Sequence, residues 1–305
     1  MAFDVTAFTD YVDQTSEELL MASITGAESA EMFTLQTGIK SAADLHILDT
    51  DVILQTGGDC SRTPSGTTTF TKRELSVASI RYAEDLCPKD LEAKWTQIML
   101  PGGSVYEDIN FFAEEYFGRK SQRIASILEK ALYQGNTGSG DQDLLHFNGY
   151  LKIIDDAGLS QVVTPAAINT TNIRGIMRSV KDAIPDAIRS KDDLIVVCEW
   201  ATFDTYVNAL AIDNLYHKFG DDGVNGEMRI ENSNIILKAV DGLVGTNRIL
   251  AMRKSNFFIG VDLAGEEDQV EAWYSQDDRV VKTNWEFKYG VQIAFLEEVV
   301  TFTGS

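Results

Sequence analysis

An α+β fold is predicted by three features of this 305-residue chain. Long helical periodicity is confined to the first half, and long strands crowd the end. Between a leading acidic segment and the first long helix lies a polar hairpin. Neither it nor the leading segment holds enough apolar residues to bury a face of its own.

The leading segment, residues 9–25, places Tyr11, Val12, Leu19, Leu20 and Ile24 near a 3.6-residue period, with Thr15-Ser16-Glu17-Glu18 as a capping-box pattern inside it. Gly26 and Gly38 then interrupt it. With so few apolar residues it is expected to lie along something else, either the main body or a neighbouring subunit. Residues 47–56 read as a strand, 57–66 as a cluster of turn-formers around Pro64, and 67–81 as a second strand rich in Thr, Phe, Val and Ile. Two such strands around a polar tip make a long hairpin, which by itself is marginal in water.

A short helix is predicted over 89–97, followed by Pro101-Gly102-Gly103. Ser104 and Glu107 then form a capping box that opens a helix running to Gln134. Its apolar face reads Val105, Ile109, Phe112, Tyr116, Ile124, Ile127, Leu128, Ala131 and Leu132, and Gly135-Asn136 ends it. At ~1.5 Å per residue, about thirty residues make a rod of ~45 Å. The remainder alternates. Helices are predicted at 173–188, interrupted by Pro185, and at 203–212, with strands at 194–200, 228–230, 234–240, 249–253, 256–261, 269–275, 285–295 and 298–302. No internal repeat or low-complexity tract appears.

Composition narrows the function. Apolar residues make up 44% and charged residues 24%, an ordinary globular mixture that can build a core without disulfide or metal staples. The longest aliphatic run, Leu194 to Cys198, is far shorter than the ~20 residues of a membrane span, and the N-terminus has no signal-peptide pattern, so no membrane association is expected. Cys60, Cys87 and Cys198 are odd in number and scattered, which suits free thiols better than a disulfide framework. The net charge of −21 argues against a dedicated nucleic-acid reader. It is unevenly spread: residues 1–60 hold 11 acids and one base, whereas 61–134 hold 10 of each.

No catalytic constellation emerges. His46, His146 and His217 each stand alone, outside any metal-binding spacing, and no nucleophile-elbow pattern exists. The glycines at 135, 138 and 140 follow a helix, the reverse of a phosphate cradle. Asp221-Asp222-Gly223 has the flavour of a calcium loop, but its twelfth position is Asn232 where a bidentate Glu is needed. Arg119, Lys120 and Arg123 cluster halfway along the long helix. They read either as solvated charges balanced by Glu114 and Glu115 or as a contact for nucleic acid or an acidic neighbouring subunit. No cofactor and no metal is expected.

Taken in order, the acidic arm, polar hairpin, long capped helix, α/β middle and closing strands resemble the major capsid protein of tailed phages, with its Hong-Kong-97-like fold. The likeness is carried locally by Ile124-Ala125-Ser126-Ile127-Leu128-Glu129-Lys130-Ala131-Leu132-Tyr133-Gln134-Gly135-Asn136, by Asn256-Phe257-Phe258-Ile259-Gly260-Val261-Asp262, and by the tail from Phe287 to Phe302. The resemblance implies an N-terminal arm at 1–45 and an extended β-hairpin loop at 46–82. It implies a peripheral domain from 83–150 and 265–296, with the spine helix at 104–134, and an axial domain from 151–264 and 297–305.

It further implies a non-enzymatic virion protein, assembled in the host bacterial cytoplasm. Its copies would form pentamers and hexamers of an icosahedral shell that encloses double-stranded DNA without reading its sequence. Partners would be other copies of itself, a scaffolding protein, a portal and decoration proteins. Because the chain starts directly at the arm, a scaffolding region is expected to be cleaved or separate. Some relatives crosslink through a hairpin lysine, and here Lys72 is the one on offer. The expected subunit-interface residues are Tyr11, Leu19, Phe70, Lys72, Arg73, Arg119, Lys120 and Arg123. Two other readings stay open: a cellular encapsulin-like compartment shell, and a cytoplasmic enzyme built on dispersed carboxylates such as Asp49, Asp51 or Glu199.

Overall fold

The computed structural model describes residues 5–54, 65–87, 109–212, 226–231, 233–262 and 269–304. The Ser104/Glu107 capping pair, the 89–97 helix, residues 57–64 of the hairpin tip, Cys60, His217 and residues 221–225 lie outside the described residues.

Everything is arranged around helix α2 (Ile109–Gln134), about 39 Å long at ~1.5 Å per residue. On one side of it lies α1 (Val5–Thr25). The apolar stripe of α1 is fully used: Val12, Leu19, Leu20 and Ile24 are buried in the same cluster as Phe117, Leu128 and Leu132 of α2. Of the two surfaces expected to cover the arm, the main body of the same chain is the one that buries this stripe. The stripe is narrow, but α2 offers small residues where α1 crosses. Ala113, Ser121 and Ala125 are all buried, so the backbones come close enough for a thin stripe to suffice.

The other side of α2 faces a five-stranded sheet built on β12 (Val280–Ile293). One edge of β12 pairs with β10 (Phe257–Val261) and then β11 (Gln269–Ser275). The opposite edge pairs with β4 (Ala78–Leu86) along nine residues, Leu86 opposite Val281 through Ala78 opposite Tyr289. β1 (Thr34–Gln36) adds to β10 in parallel. Burial alternates along most of β12, and its inward residues Trp285, Phe287 and Tyr289 are among the largest fully buried side chains.

A six-stranded sheet forms the second body, in the order β5 (Gln161–Ala166), β13 (Val300–Gly304), β9 (Arg248–Arg253), β6 (Leu194–Cys198), β8 (Ile236–Ala239) and β7 (Glu227–Arg229). Its central strand is apolar throughout because both faces are covered. Ile195 and Val197 point into the core shared with α2, while Leu194, Val196 and Cys198 point into a second core. That second core includes α4 (Ile173–Asp182), α5 (Asp186–Arg189) and α6 (Trp200–Ile212). Helix α3 (Tyr150–Ala157) packs Tyr150 and Phe257 ring to ring at 4.7 Å on the α2 side.

Three differences from the sequence reading have physical causes. The second hairpin strand, expected as one piece over 67–81, is two: β3 (Thr68–Ser76) pairs with β2 (Ala42–Thr50), and β4 leaves to join β12. The break sits at Val77, whose N–H donates to Ser41 O at 2.9 Å. There the chain passes directly over Gly290, where a Cβ would lie 2.0 Å from Ser76 O. The first hairpin strand is shifted as well, running over 42–50 where 47–56 was expected. Finally, β1, α3 and β5 were not anticipated. The two strands are short edge pieces whose pairing is parallel and remote in sequence.

Replacing Gly290 with Ala is expected to destabilise the chain by about 1–3 kcal/mol, because the obstructing atom is backbone. Gly118→Ala in α2, where a Cβ meets nothing within 4 Å, is expected to stabilise by up to ~1 kcal/mol. Chemical denaturation of both variants beside the parent checks the opposite signs.

Candidate intersubunit surface

The β2–β3 ribbon is held only at its base. Ile39, Leu45 and Leu75 form a small buried cluster with Ala43, Val77 and Phe258 packed against it. Beyond that, β3 is exposed from Thr68 to Lys72. Nine residues per strand at ~3.4 Å make a ribbon of about 30 Å. Register puts Leu48 directly opposite Phe70, hence on one face, and they are 56% and 80% exposed. Val52, Ile53 and Leu54 continue the exposed apolar surface past the end of β2. Lys72 does not stand free: its Nζ donates to Asp44 Oδ2 at 2.8 Å, and that bond raises the lysine's pKa. Arg73 is half-buried opposite Leu45.

A groove of about 110 Å³ runs between α2 and the β4–β12 pair, floored by Ile80, Ile124, Leu128 and Phe287, with Asp143 and His146 among its polar lining residues. An exposed apolar pair on a projecting ribbon and an apolar groove on the body therefore coexist in one chain.

The basic trio on α2 does not act as a unit. Arg119 pairs with Glu115 at 2.5 Å on an exposed helix face, and Arg123 is exposed. Lys120 instead turns toward β4, where it pairs with Glu84 at 2.5 Å and approaches the rings of Tyr82 and Tyr116 within about 5.4 Å. Burial pushes the Glu84 carboxyl upward, but hydrogen bonds from Lys120, Tyr116 and Tyr82 outweigh it and hold the group below its ordinary value. Lys120 thus ties helix to sheet.

Two of the expected interface residues face inward. Leu19 is 7% exposed, and Tyr11 is partly buried, stacked on Phe117 at 6.3 Å. Just after α1, the chain is pinned to α2 by a buried polar cluster. Glu129 accepts from the Ser29 N–H at 2.9 Å and from Ser29 Oγ at 2.6 Å, and Ser29 Oγ lies 2.9 Å from Tyr133 Oη. Burial raises the pKa of Glu129 above its ordinary 4.5. The Ser29 hydrogen bonds oppose this, and Glu28 and Asp241 add to it.

Phe70, Lys72, Arg73, Arg119 and Arg123 therefore lie at least partly at the surface, whereas Tyr11, Leu19 and Lys120 are engaged within the chain. Leu48 and the 52–54 run are further exposed apolar residues of the ribbon, and Leu48 stands out only once register brings it opposite Phe70. Among the residues offered for an enzyme, Glu199 is buried and accepts from the Gly245 N–H at 2.9 Å, a structural bond. Cys87 is exposed and Cys198 buried, both with free thiols. Among the described residues no group of three metal-ligating side chains is gathered, and no helix is long and apolar enough to cross a membrane.

No family model and no curated protein matches the chain. Solved structures do. The satellite phage P4 procapsid, including size determination (Sid) protein, aligns with a TM-score of 0.67 at 10% identity, over 95% of this chain and 90% of that one. The capsid of an empty GTA particle aligns at 0.62 and 10% identity, over 92% and 90%. A virus-like particle from Pyrococcus furiosus aligns at 0.56 and 7% identity, over 96% and 99%. The fold is that of phage capsid shells. The likeness extends over nearly the whole chain.

Because Glu129 is more readily protonated when folded, its contribution to stability is full below pH about 4.5 and is lost as pH rises through its raised folded value. Glu129→Gln is expected to remove that part of the pH dependence. Denaturation midpoints of parent and variant between pH 4 and 8 check it. Parallel curves would contradict it.

Proposed function

We propose that this chain is a tailed-phage major capsid protein of the Hong-Kong-97-like fold, a structural subunit without enzymatic activity. Its copies self-assemble into pentamers and hexamers of an icosahedral shell around double-stranded DNA. In this reading the chain before β2 is the arm, and the β2–β3 ribbon, which starts at residue 42 where 46 was expected, is the extended loop. The body on α2 and β12 is the peripheral domain, and the six-stranded-sheet body is the axial domain. The observation that carries the reading is the shell-protein fold combined with an uncovered apolar pair, Leu48 and Phe70, on a ribbon anchored only at its base. Such a ribbon gains little from remaining in water and much from a neighbouring copy.

The virion would be its location and the host bacterial cytoplasm its place of assembly. Scaffolding, portal and decoration proteins and packaged DNA would be its partners. The net charge of −21 suits enclosure of DNA without specific binding to it. Likeness to the virus-like particle structure supports a second reading, an encapsulin-like compartment shell, and particle contents separate the two: nucleic acid for a virion, protein cargo for a compartment.

Electron microscopy of the chain co-expressed with its neighbouring genes is expected to show closed particles. Leu48→Ser with Phe70→Ser is expected to leave the melting temperature of the isolated chain nearly unchanged, since both side chains are already in water, and to abolish particles. A chain that stays monomeric under every assembly condition, or a double variant that assembles normally, would refute the assignment.

A further inference from the structure

Two charged surfaces of this chain lack ion-pair partners among the described residues, and they are complementary. The first is α1. It carries Asp10, Asp13, Glu17 and Glu18, all exposed, and no lysine or arginine. Asp10, Asp13 and Glu17 fall at i, i+3 and i+7, one stripe of the helix, and Asp13 and Glu17 are an i, i+4 like-charge pair that weakens a helix. Among the described residues none of these four carboxylates is ion-paired.

The second is an open cavity of about 790 Å³ where the end of α4 and α5 meet the β7–β8 edge of the six-stranded sheet. Lys181, Arg189, Lys191 and Arg229 line it, against Asp182 and Asp192. The Arg189 guanidinium is occupied, donating to the carbonyls of Asp182 and Ile184 at 3.2 Å. Lys181, Lys191 and Arg229 have no ion pair among the described residues. The lining holds no aromatic side chain on which a nucleobase would stack.

We propose that this basic cavity is an electrostatic socket for the acidic face of α1 from a second copy of the chain. Within one chain the two surfaces are apart: α1 lies against α2 and β11, and no ion pair joins it to the socket. The carboxylates of α1 repel one another along one helix stripe, and the unpaired cations of the cavity, which outnumber the engaged ones, would relieve that repulsion from a second copy. A chain carrying −21 repels its own copies, so the places where copies touch need locally opposite charge, and this cavity supplies it. The contact is heterologous, one surface meeting a different one, the type that closes into rings. The inference rests on the shell reading above.

Three sets of variants test it: Lys181→Glu, Lys191→Glu and Arg229→Glu together, Asp10→Lys, Asp13→Lys and Glu17→Lys together, and all six combined. Light scattering at low salt gives the protein concentration needed for half-maximal assembly. Each triple is expected to raise it about tenfold, as three surface ion pairs would. The six-fold swap is expected to return it to within about threefold of the parent. Added salt should weaken assembly of the parent more than that of either triple. Melting curves check folding, and Lys181→Gln with Lys191→Gln and Arg229→Gln replaces the reversal if that fails to fold, with a rise of about threefold expected.

A triple that assembles like the parent, or a swap no better than the triples, overturns the socket while leaving the shell reading intact. So does unchanged assembly with less retained nucleic acid, which would make the cavity a phosphate contact. A parent that forms no particles removes the shell reading itself, and the socket with it.

Discussion

The close approach of α1 to α2 is the contact on which the rest of the molecule depends. Positions 113, 117, 121, 125, 129 and 133 form an unbroken i, i+4 row on α2, all buried, in which Ala113, Ser121 and Ala125 are small. Small residues bring the arm helix in, Phe117 reaches through to Trp285 of the long sheet at 6.4 Å, and Tyr133 touches Phe33 and Tyr150 beyond the end of α1. Without that row the arm would lose its cover, and the inner face of β12 would lose part of its packing.

This row also marks the limit of what the sequence could say. The helix was legible from its periodicity, and so were most strands of the second half, because β6, β9 and β10 read as short apolar runs and β11 opens with polar and apolar residues in alternation. The face of α2 that matters most was not. Ser121 and Glu129 belong to it and do not count as apolar, whereas Ile124 and Ile127, which do count, are only partly buried. A stripe assigned by hydrophobicity cannot anticipate a surface chosen for smallness, nor a carboxylate kept inside by Ser29. The break at Val77 was hidden for a similar reason, since only the approach of Gly290 from more than two hundred residues away dictates it.

For the candidate interface, residue type identified Phe70, Lys72 and Arg73 correctly as ribbon residues. It did not place Tyr11 and Leu19 against the body of the same chain, because a sparse stripe resembles an unfilled one until its partner is known. Lys120 was grouped with Arg119 and Arg123 by adjacency, yet one residue turns the helix by ~100°, enough to aim it at Glu84 while its neighbours face water. Charge and apolar surface divide the work between them. In the proposed shell, apolar contact at the ribbon would depend little on charge screening, while the acidic excess would set how readily copies approach.

The join between β3 and β4 has a mechanical consequence. The ribbon is continuous with a strand zipped to β12 along nine residues, with only Val77 between. Tension drawn on the ribbon by whatever grips it enters β4 and is spread over that whole ladder and the Lys120 tether beside it. A load applied to the ribbon is thus carried into the five-stranded sheet, as a tie-rod carries it to a beam.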